Sequence, residues 1–493
     1  MDDVTKSTPS LDWGASQEQA EGDALHLVIV WSRHQPHRIG EVAPIEGRCV
    51  LGRGPARPDD PAPRAVFFQQ RPGVMFPKPP LVGSTLSRCQ LELTPLPDGT
   101  LEVRRVGRCL LVVRGQIEEH AIVRPGETLT LSSTLMLLVV RRPRSLPPLR
   151  AYPSRPLIAF GYGEPDDHGI IGESPAAWAL RDQLAFAAAS RSHVLVLGES
   201  GVGKELAARA IHAMSRHEDD PFVTRNASTF PEGLVDAELF GAARGYPNIG
   251  SPERPGLLGQ ANGGTLFLDE IGEMPPELQA HLLRALDRGG EYQRLGDPRA
   301  RSSSFRVIAA TNRDPDQLKH DFCARFTIRV EVPGLPLRRE DIPFLLRHLL
   351  AAIARANPIF AERFFERGLG GFLEARTDSS LIDGLLRHRY TSHTRELERF
   401  LSVALTTSPG NVLTLTPELS ALLRFDDPAP APRPGDADPD AIEHAQITAA
   451  LVATRNNVAK AARRLVLDRY TLYRKMRRLG IPIPEKKKKP TGG

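Results

Sequence analysis

The chain lacks any apolar run of the roughly 18–20 residues that a membrane-spanning helix needs. The apolar stretch Leu135–Val140 has only the length of a strand. The polar, acidic opening MDDVTKSTPSLDWG has no signal-peptide core. No membrane partner and a cytoplasmic location are therefore expected. Cysteine is scarce: Cys49, Cys89, Cys109 and Cys323 are the only four in 493 residues. They form no CxxC pair and have no histidines at zinc spacing, which argues against a disulfide framework or a zinc module and reads them as core residues. One sign of charge is locally missing as well. Residues 440–493 hold 13 Lys/Arg against 4 Asp/Glu, so the net +5 of the chain divides into +9 there and −4 elsewhere. A basic end on a near-neutral body points to a polyanion partner, nucleic acid first.

With 25% charged and 41% hydrophobic residues, the composition is that of ordinary globular protein. The length exceeds one core, so about two to four domains are expected. Residues 1–24 read as a disordered N-terminus. Residues 25–142 alternate short strands (Leu25–Trp31, Leu101–Val106, Thr128–Leu131, Leu135–Val140) with Gly, Pro and Asp, which predicts a β-sandwich. Within it the Pro- and Arg-rich stretch Arg57–Pro80 reads as a long loop. A proline-rich linker covers 143–169. Residues 170–335 alternate helical patterns with apolar strands, an α/β layer on a parallel sheet, and 336–405 read as a helical lid. A second linker (406–439) leads to an all-α module at 440–481 and a basic tail at 482–493.

Val194–Leu197 is followed by GESGVGKE and then by a helix-forming run to Met214. Strand, glycine-rich loop and helix in this order form a P-loop: backbone N–H groups curl around phosphates, and the helix N-terminus adds positive potential. Its residues are Gly198, Glu199, Ser200, Gly201, Val202, Gly203, Lys204 and Glu205; Lys204 reaches the β- and γ-phosphates of ATP, and Glu205 stands where Ser or Thr commonly binds magnesium. A second strand, Thr265-Leu-Phe-Leu, delivers Asp269 and Glu270 to its end. Asp269 suits Mg2+ and its waters, and Glu270 suits polarising the attacking water. A third strand ends at Asn312, placed to sense the γ-phosphate.

From Ile171 to about Ser402 the chain resembles the AAA+ domain of bacterial enhancer-binding proteins, which activate sigma-54 RNA polymerase. The matching stretches are IGES (Ile171–Ser174), GESGVGKE, ELFG (Glu238–Gly241), GGTLFLDEIGEM (Gly263–Met274), RVIAATNRD (Arg306–Asp314), RREDIP (Arg338–Pro343) and REL (Arg395–Leu397). The Glu after the P-loop lysine is usual in that family. The resemblance implies that Asn226 holds the catalytic glutamate until the γ-phosphate is sensed and that Arg395 is a lid arginine contacting nucleotide. It places one arginine finger at Arg325 and the other at Lys319, where a lysine keeps the charge but loses the planar fork. Fingers acting on a neighbour's site imply a homo-oligomeric ring, a hexamer in this family. The family's GAFTGA loop, which contacts sigma-54, here reads Gly245, Tyr246, Pro247, Asn248, Ile249, Gly250. Proline removes an N–H, and the aromatic anchor is gone. The loop is therefore either a polymerase contact made through Tyr246 or Ile249 or a plain surface loop.

At the C-terminal end, an amphipathic helix Ile442–Thr454, a second helix Val458–Leu465, the turn Val466–Asp468 and a basic helix Arg469–Leu479 make a helix-turn-helix. NNVAKAARRLVLDRYTLYRKMRRLGI resembles the Fis-type module of the same proteins. That resemblance places Arg469, Tyr470, Thr471 and Arg474 in the major groove and Arg463, Lys475, Arg477 and Arg478 on phosphate, with a two-fold symmetric DNA site. Lys486–Lys489 adds sequence-blind affinity.

Residues 25–142 resemble a forkhead-associated (FHA) domain, which binds phosphothreonine peptides, through Gly52-Arg53 and Leu86-Ser87-Arg88. Arg53, Ser87 and Arg88 are the implied phosphopeptide residues, and two guanidinium groups beside a hydroxyl suit a phosphate dianion. The family's histidine is replaced by Gln90, and its peptide-contacting asparagine by Cys109. A sandwich used only for oligomer contacts is the alternative. The expected fold is thus an FHA-like sandwich, an AAA+ P-loop ATPase with lid, and a helix-turn-helix. Three functions fit: a sigma-54 activator gated by phosphopeptide, a DNA-binding regulator (a repressor included) whose ring does not engage sigma-54, and a phosphopeptide-reading scaffold in which ATP serves assembly alone.

Overall fold

The central strand of the N-terminal domain, Ala24–Ser32, is apolar on both faces, and both faces are covered. In the computed structural model, residues 22–425 are described apart from 133, 153–158, 216–218, 231–232, 275, 288–289, 316–317, 319 and 368–372. The chain divides into two compact units after Phe425, and all described elements belong to the first. Lys319, the tail lysines and the helix-turn-helix residues Arg463, Arg469, Tyr470, Thr471, Arg474, Lys475, Arg477 and Arg478 lie outside the described residues.

An eight-stranded and a four-stranded sheet form the N-terminal sandwich. Strand Ala24–Ser32 pairs antiparallel with Leu135–Arg142 on one side and Val42–Ile45 on the other. Side chains alternate across a strand. Leu25, Leu27 and Ile29 enter the sandwich core with Leu91, Leu93, Leu101 and Val103. Val28, Val30 and Trp31 belong instead to a second core, shared with the lid.

Two local readings change. The expected loop Arg57–Pro80 contains a hairpin, Phe68–Arg71 with Val74–Pro77, at the edge of the large sheet. Its strand is held from far away in sequence: Gln70 Nε2 donates to the Arg144 carbonyl at 2.8 Å, and Arg71 pairs with Glu173 at 2.6 Å. The described parts of the expected linker 143–169 are fastened to helix Pro175–Ala189. Asp182 Oδ1 accepts the backbone N–H groups of Arg150, Ala151 and Tyr152 at 3.0, 2.7 and 3.0 Å. Fully buried Arg181 pairs with Asp166 at 2.8 Å, and Phe160 stacks on Trp178.

The α/β subdomain is a parallel five-stranded sheet, ordered Phe222–Asn226, Thr265–Asp269, Arg306–Thr311, Val194–Leu197, Ile328–Glu331. The lid comprises helices Ile342–Ala356, Pro358–Phe364, Ser379–Arg387 and His393–Thr407. It is not helical throughout, because Phe365–Arg367 and Leu373–Ala375 form a small hairpin. It also continues beyond residue 405: Leu413, Leu419 and Leu423 are buried in its core, so the described part of the expected linker 406–439 belongs to the lid. Among the described residues, no helix is long and apolar enough to cross a membrane. None of the four cysteines forms a disulfide; Cys49 and Cys323 are buried while Cys89 and Cys109, expected in the core, are only half-buried, and burial pushes the Cys49 thiol up to about 11.

The sandwich and the ATPase-like body share buried contacts. Trp31, Met136 and Leu138 pack with Phe344, Leu346 and Ile382 of the lid. Trp31 Nε1 donates to the Thr377 carbonyl at 3.0 Å, and Thr128 Oγ1 to Asp383 at 2.5 Å. Gly40 and Gly163 both lie against the Phe344 ring with left-handed φ of +86° and +74°; a Cβ at either would come within about 2.2 Å of a ring carbon. Arg142 pairs with Glu340 at 2.8 Å, with both side chains nearly excluded from water.

Removing one partner of a buried ion pair strands the other charge. Arg142→Ala is expected to destabilise the first unit by about 3–5 kcal/mol, with partial recovery in Arg142→Ala/Glu340→Gln, both read from urea unfolding curves. His26 supplies a pH test: burial lowers its pKa from 6.5 to about 4. Between these values the unfolded chain holds the extra proton, so stability falls as pH drops from 6.5 towards 4, by up to about 3 kcal/mol. Melting temperatures across this window are expected to fall less steeply in His26→Phe than in the natural chain.

Candidate functional site

Strand Val194–Leu197 lies between Arg306–Thr311 and Ile328–Glu331, so the loop that follows emerges at the C-terminal edge of the sheet. Gly198, Gly201 and Gly203 take φ of +154°, +80° and +104°, conformations that let the loop curl before helix Lys204–Ala213 begins. Lys204 Nζ lies inside that curl and donates to the carbonyls of Gly198 and Glu199 at 2.8 and 2.9 Å. Burial lowers the Lys204 pKa, while the charges of Asp269 and Glu270 oppose the shift. Glu205 does not turn into the loop: its exposed carboxylate pairs with Arg209 at 2.8 Å along the helix.

The neighbouring strands supply the acids. Asn226 and Asp269 are register partners at the ends of two adjacent parallel strands. Asp269 Oδ1 accepts the Glu270 N–H at 2.9 Å, and burial raises the Asp269 pKa. Glu270 takes a left-handed φ of +52°, uncommon for a residue with a side chain. Asn226 Nδ2 donates to Glu270 Oε2 at 3.1 Å. The Asn226 amide oxygen is itself fixed by the N–H and hydroxyl of Ser228, both at 2.8 Å. Lys204, Asp269, Glu270 and Asn226, named from the sequence, therefore meet at one sheet edge. Asn312 follows the central strand Arg306–Thr311 and is exposed, and Arg325 is exposed just after helix His320–Cys323.

The lid closes on the loop through residues 392–395. Arg395 Nη1 donates to Ser200 Oγ at 3.2 Å, and Thr394 N–H to the Gly201 carbonyl at 3.2 Å. Gly201 allows this approach, since a Cβ there would lie 2.2 Å from the Ser392 carbonyl oxygen. Sequence reasoning missed His393, which is buried, left-handed (φ +45°), and 3.0 Å from Glu199 through Nε2. Its position in REL-flanking sequence carries no metal or acid–base spacing that would single it out. Beside the loop is a cavity of about 410 Å³ lined mainly by apolar side chains, among them Ile170, Leu184, Val202, Leu206 and Leu349. A mostly apolar slot next to a phosphate loop suits a flat heterocycle. Sheet, loop, carboxylate strand and lid together form an AAA+ P-loop ATPase-like fold.

The GYPNIG segment forms a tight hairpin above the Ala242–Arg254 bridge. Gly245 N–H donates to the Ser251 carbonyl at 2.9 Å, and Ser251 N–H to the Asn248 carbonyl at 3.0 Å. The Tyr246 ring leans on Gly296, where a Cβ would meet it at 2.8 Å. Ile249 is left fully exposed.

On the sandwich, Arg53, Ser87 and Arg88 come together on adjoining loops, with Arg53 N–H donating to the Ser87 carbonyl at 3.0 Å. Arg53 is exposed, and the half-buried Arg88 has a buried Nη2 without a hydrogen-bond partner. Gln90 is fully buried and ties this edge together: its Nε2 donates to the Cys109 carbonyl at 2.8 Å and its Oε1 accepts Ser87 and Cys109 N–H groups at 3.3 and 3.2 Å.

Two family models match the sequence: the sigma-54 interaction domain over residues 170–333, and the bacterial regulatory protein, Fis family, over 439–479. Neither match includes the sandwich. The nitric oxide reductase transcription regulator NorR1 of Cupriavidus necator is 38% identical over 349 residues, 65% of this chain and 65% of that protein. The transcriptional regulatory protein ZraR of Escherichia coli K12 is 36% identical, covering 63% of this chain and 68% of that protein. The DNA-binding transcriptional regulator NtrC of a Bradyrhizobium species is 34% identical, covering 65% and 72%. The alignments thus span about two thirds of these relatives' length. By both domain matches and by its identity to ZraR and NtrC, the chain belongs to the family of transcriptional regulators built on the sigma-54 interaction domain.

Proposed function

We propose that this chain is an ATP-dependent transcriptional regulator that binds upstream DNA and uses a AAA+ ring to remodel sigma-54 RNA polymerase, with the sandwich reading a phosphothreonine peptide. The observation that carries the ATPase reading is the Asn226–Glu270 hydrogen bond beside Asp269 and Lys204. In this reading Lys204 exchanges its two carbonyl partners for the β- and γ-phosphates, and the loop N–H groups take up the remaining oxygens. Glu270 orients and polarises the attacking water once Asn226 releases it. Arg395 and Asn312 report the γ-phosphate to the lid and sheet, and Arg325, with Lys319, serves the neighbouring subunit's site in a hexamer.

Magnesium fits the donor set. Among the described residues no group of three His, Cys, Asp or Glu side chains could hold a metal alone. Mg2+ needs no such cage, since it commonly uses one or two carboxylates together with substrate phosphates and water. Asp269 is the carboxylate in place for it, and the ion would neutralise charge developing on the transferred phosphoryl group. DNA binding rests on the Fis-family match, with Arg469, Tyr470, Thr471 and Arg474 reading bases and Arg463, Lys475, Arg477 and Arg478 holding phosphate at a two-fold symmetric site. Phosphopeptide reading rests on Arg53, Ser87 and Arg88 sharing one loop edge, with an Arg88 nitrogen lacking a partner.

The loop geometry favours one second reading, a regulator whose ring does not engage sigma-54. Tyr246 rests part of its ring on Gly296, and Ile249 is the one fully exposed aliphatic residue at the tip.

Two experiments test these assignments. Purified protein with ATP is expected to drive open-complex formation on a sigma-54 promoter, and Glu270→Gln is expected to bind ATP yet lose hydrolysis by about 100-fold or more and form no open complex. Hydrolysis without open complexes would select the second reading. Arg53→Ala is expected to weaken phosphothreonine-peptide binding at least about tenfold, measured by fluorescence anisotropy; unchanged affinity would remove the sandwich from phosphopeptide recognition.

A further inference from the structure

The lid reaches the P-loop through one residue that also touches the hinge. His393 sits at the start of helix His393–Thr407, 1% exposed, with a left-handed backbone. Its ring presses on Gly334, where a Cβ would fall 2.6 Å from the His393 Cε1. Leu335 N–H, in the segment joining the parallel sheet to the lid, donates to Nδ1 at 3.2 Å. An N–H donor can pair only with a bare nitrogen, so the proton of the ring is on Nε2. Nε2 therefore donates to Glu199 Oε2 of the P-loop at 3.0 Å. The next two residues continue the seam, Thr394 to Gly201 and Arg395 to Ser200.

Glu199 is held twice over. Lys204 takes its main-chain carbonyl, and His393 takes its carboxylate. The carboxylate is 70% exposed, so the His393 bond is the arm of this seam that faces solvent on one side and the buried hinge on the other. The left-handed turn at His393 points its own ring to the hinge while the following turn carries Arg395 to the phosphate loop. The same ring lines the apolar cavity beside the loop.

We infer that His393 is a positioning residue that latches the lid to the P-loop through Glu199 and thereby sets the approach of Arg395 to bound nucleotide. This rests on the ATPase reading above. The latch acts on affinity rather than on the hydrolytic step, because neither His393 nor Glu199 lies with Asp269 and Glu270 at the carboxylate strand. The two arms of the ring are separable by chemistry. Asparagine tolerates a left-handed backbone, and its Oδ1 replaces Nδ1 as acceptor for Leu335, but it is too short to reach Glu199. His393→Asn therefore removes the P-loop arm alone, and Glu199→Ala removes the same bond from the other side.

In the full chain, His393→Asn is expected to raise the KM for ATP about five- to tenfold, as loss of one hydrogen bond of this kind does, while kcat changes by less than twofold, and Glu199→Ala is expected to raise the KM to a similar extent. The double variant is expected to be no worse than either single one, and His393→Ala, which also gives up the Leu335 bond, is expected to melt at a lower temperature than His393→Asn. Unchanged KM in His393→Asn, or additive losses in the double variant, would overturn the latch. If the natural chain shows no ATP turnover, it is the ATPase reading that fails; the same cycle of variants then tests the latch by mant-ADP affinity, and, if no nucleotide binds, by melting temperature, where additive effects of the two single substitutions would overturn it.

Discussion

One carboxylate organises the junction between the domains. Asp341 is fully buried, accepts the N–H groups of Glu173 and Ser174 at 2.8 and 3.0 Å, and takes the Ser174 hydroxyl at 2.6 Å. Ser174 in turn caps helix Pro175–Ala189 through Ala177 N–H. Arg338 supplies the counter-charge and also donates to the Ile171 carbonyl. Gly172 must remain side-chain-free, since a Cβ would sit 2.5 Å from Asp341 Oδ2. The IGES and RREDIP stretches, 167 residues apart, are thus two halves of one hydrogen-bonded knot at the root of the lid. Buried charges are costly unless a counter-charge answers them, and this knot is flanked by two more pairs, Arg71–Glu173 and Arg142–Glu340. Both arginines come from the sandwich. Burial still pushes the Glu340 carboxyl upward against the pull of Arg142, a sign of how dry the layer is.

The parts legible in the sequence are those where chemistry and backbone are local. The P-loop and the Asp269–Glu270 strand end each depend on a few neighbouring residues and a strand or helix boundary, so their spacing announces them, whereas Asn226 is legible only through the family resemblance, its partner Glu270 lying 44 residues on. The hairpin within Arg57–Pro80, the fastened strap at 143–169 and the lid extension past residue 405 depend on partners far along the chain. Gln70 and Arg71 look like loop residues until Arg144 and Glu173 are brought beside them. Gln90 reads as the loss of a family histidine, yet it is the buried amide that joins Ser87 to Cys109. His393 has the same character: an isolated histidine whose role exists only once hinge and P-loop meet around it.

The nucleotide site balances opposite tendencies of buried charge. Burial disfavours both the Lys204 ammonium and the Asp269 carboxylate, and each helps keep the other ionised. A phosphate chain with a divalent cation carries both signs and can answer both groups at once. The Gly245–Gly250 hairpin has no comparable constraint. It is closed by its own backbone bonds and rests one ring on Gly296, so its tip tolerates the replacement of an aromatic residue by Pro247 and of a small residue by Ile249.

The apolar surface shared by sandwich and lid has a consequence for synthesis on the ribosome. Trp31 and Thr377 are 346 residues apart, and the lid core is completed only when Leu413, Leu419 and Leu423 have been made. At a translation rate of about 5–20 residues per second, the sandwich waits on the order of twenty seconds or more with Val28, Val30, Trp31, Met136 and Leu138 uncovered. That face belongs to a large antiparallel sheet, the kind of surface that attracts other nascent chains. Until the lid has been made, the nascent chain therefore keeps open to water an apolar sheet face that the finished unit buries.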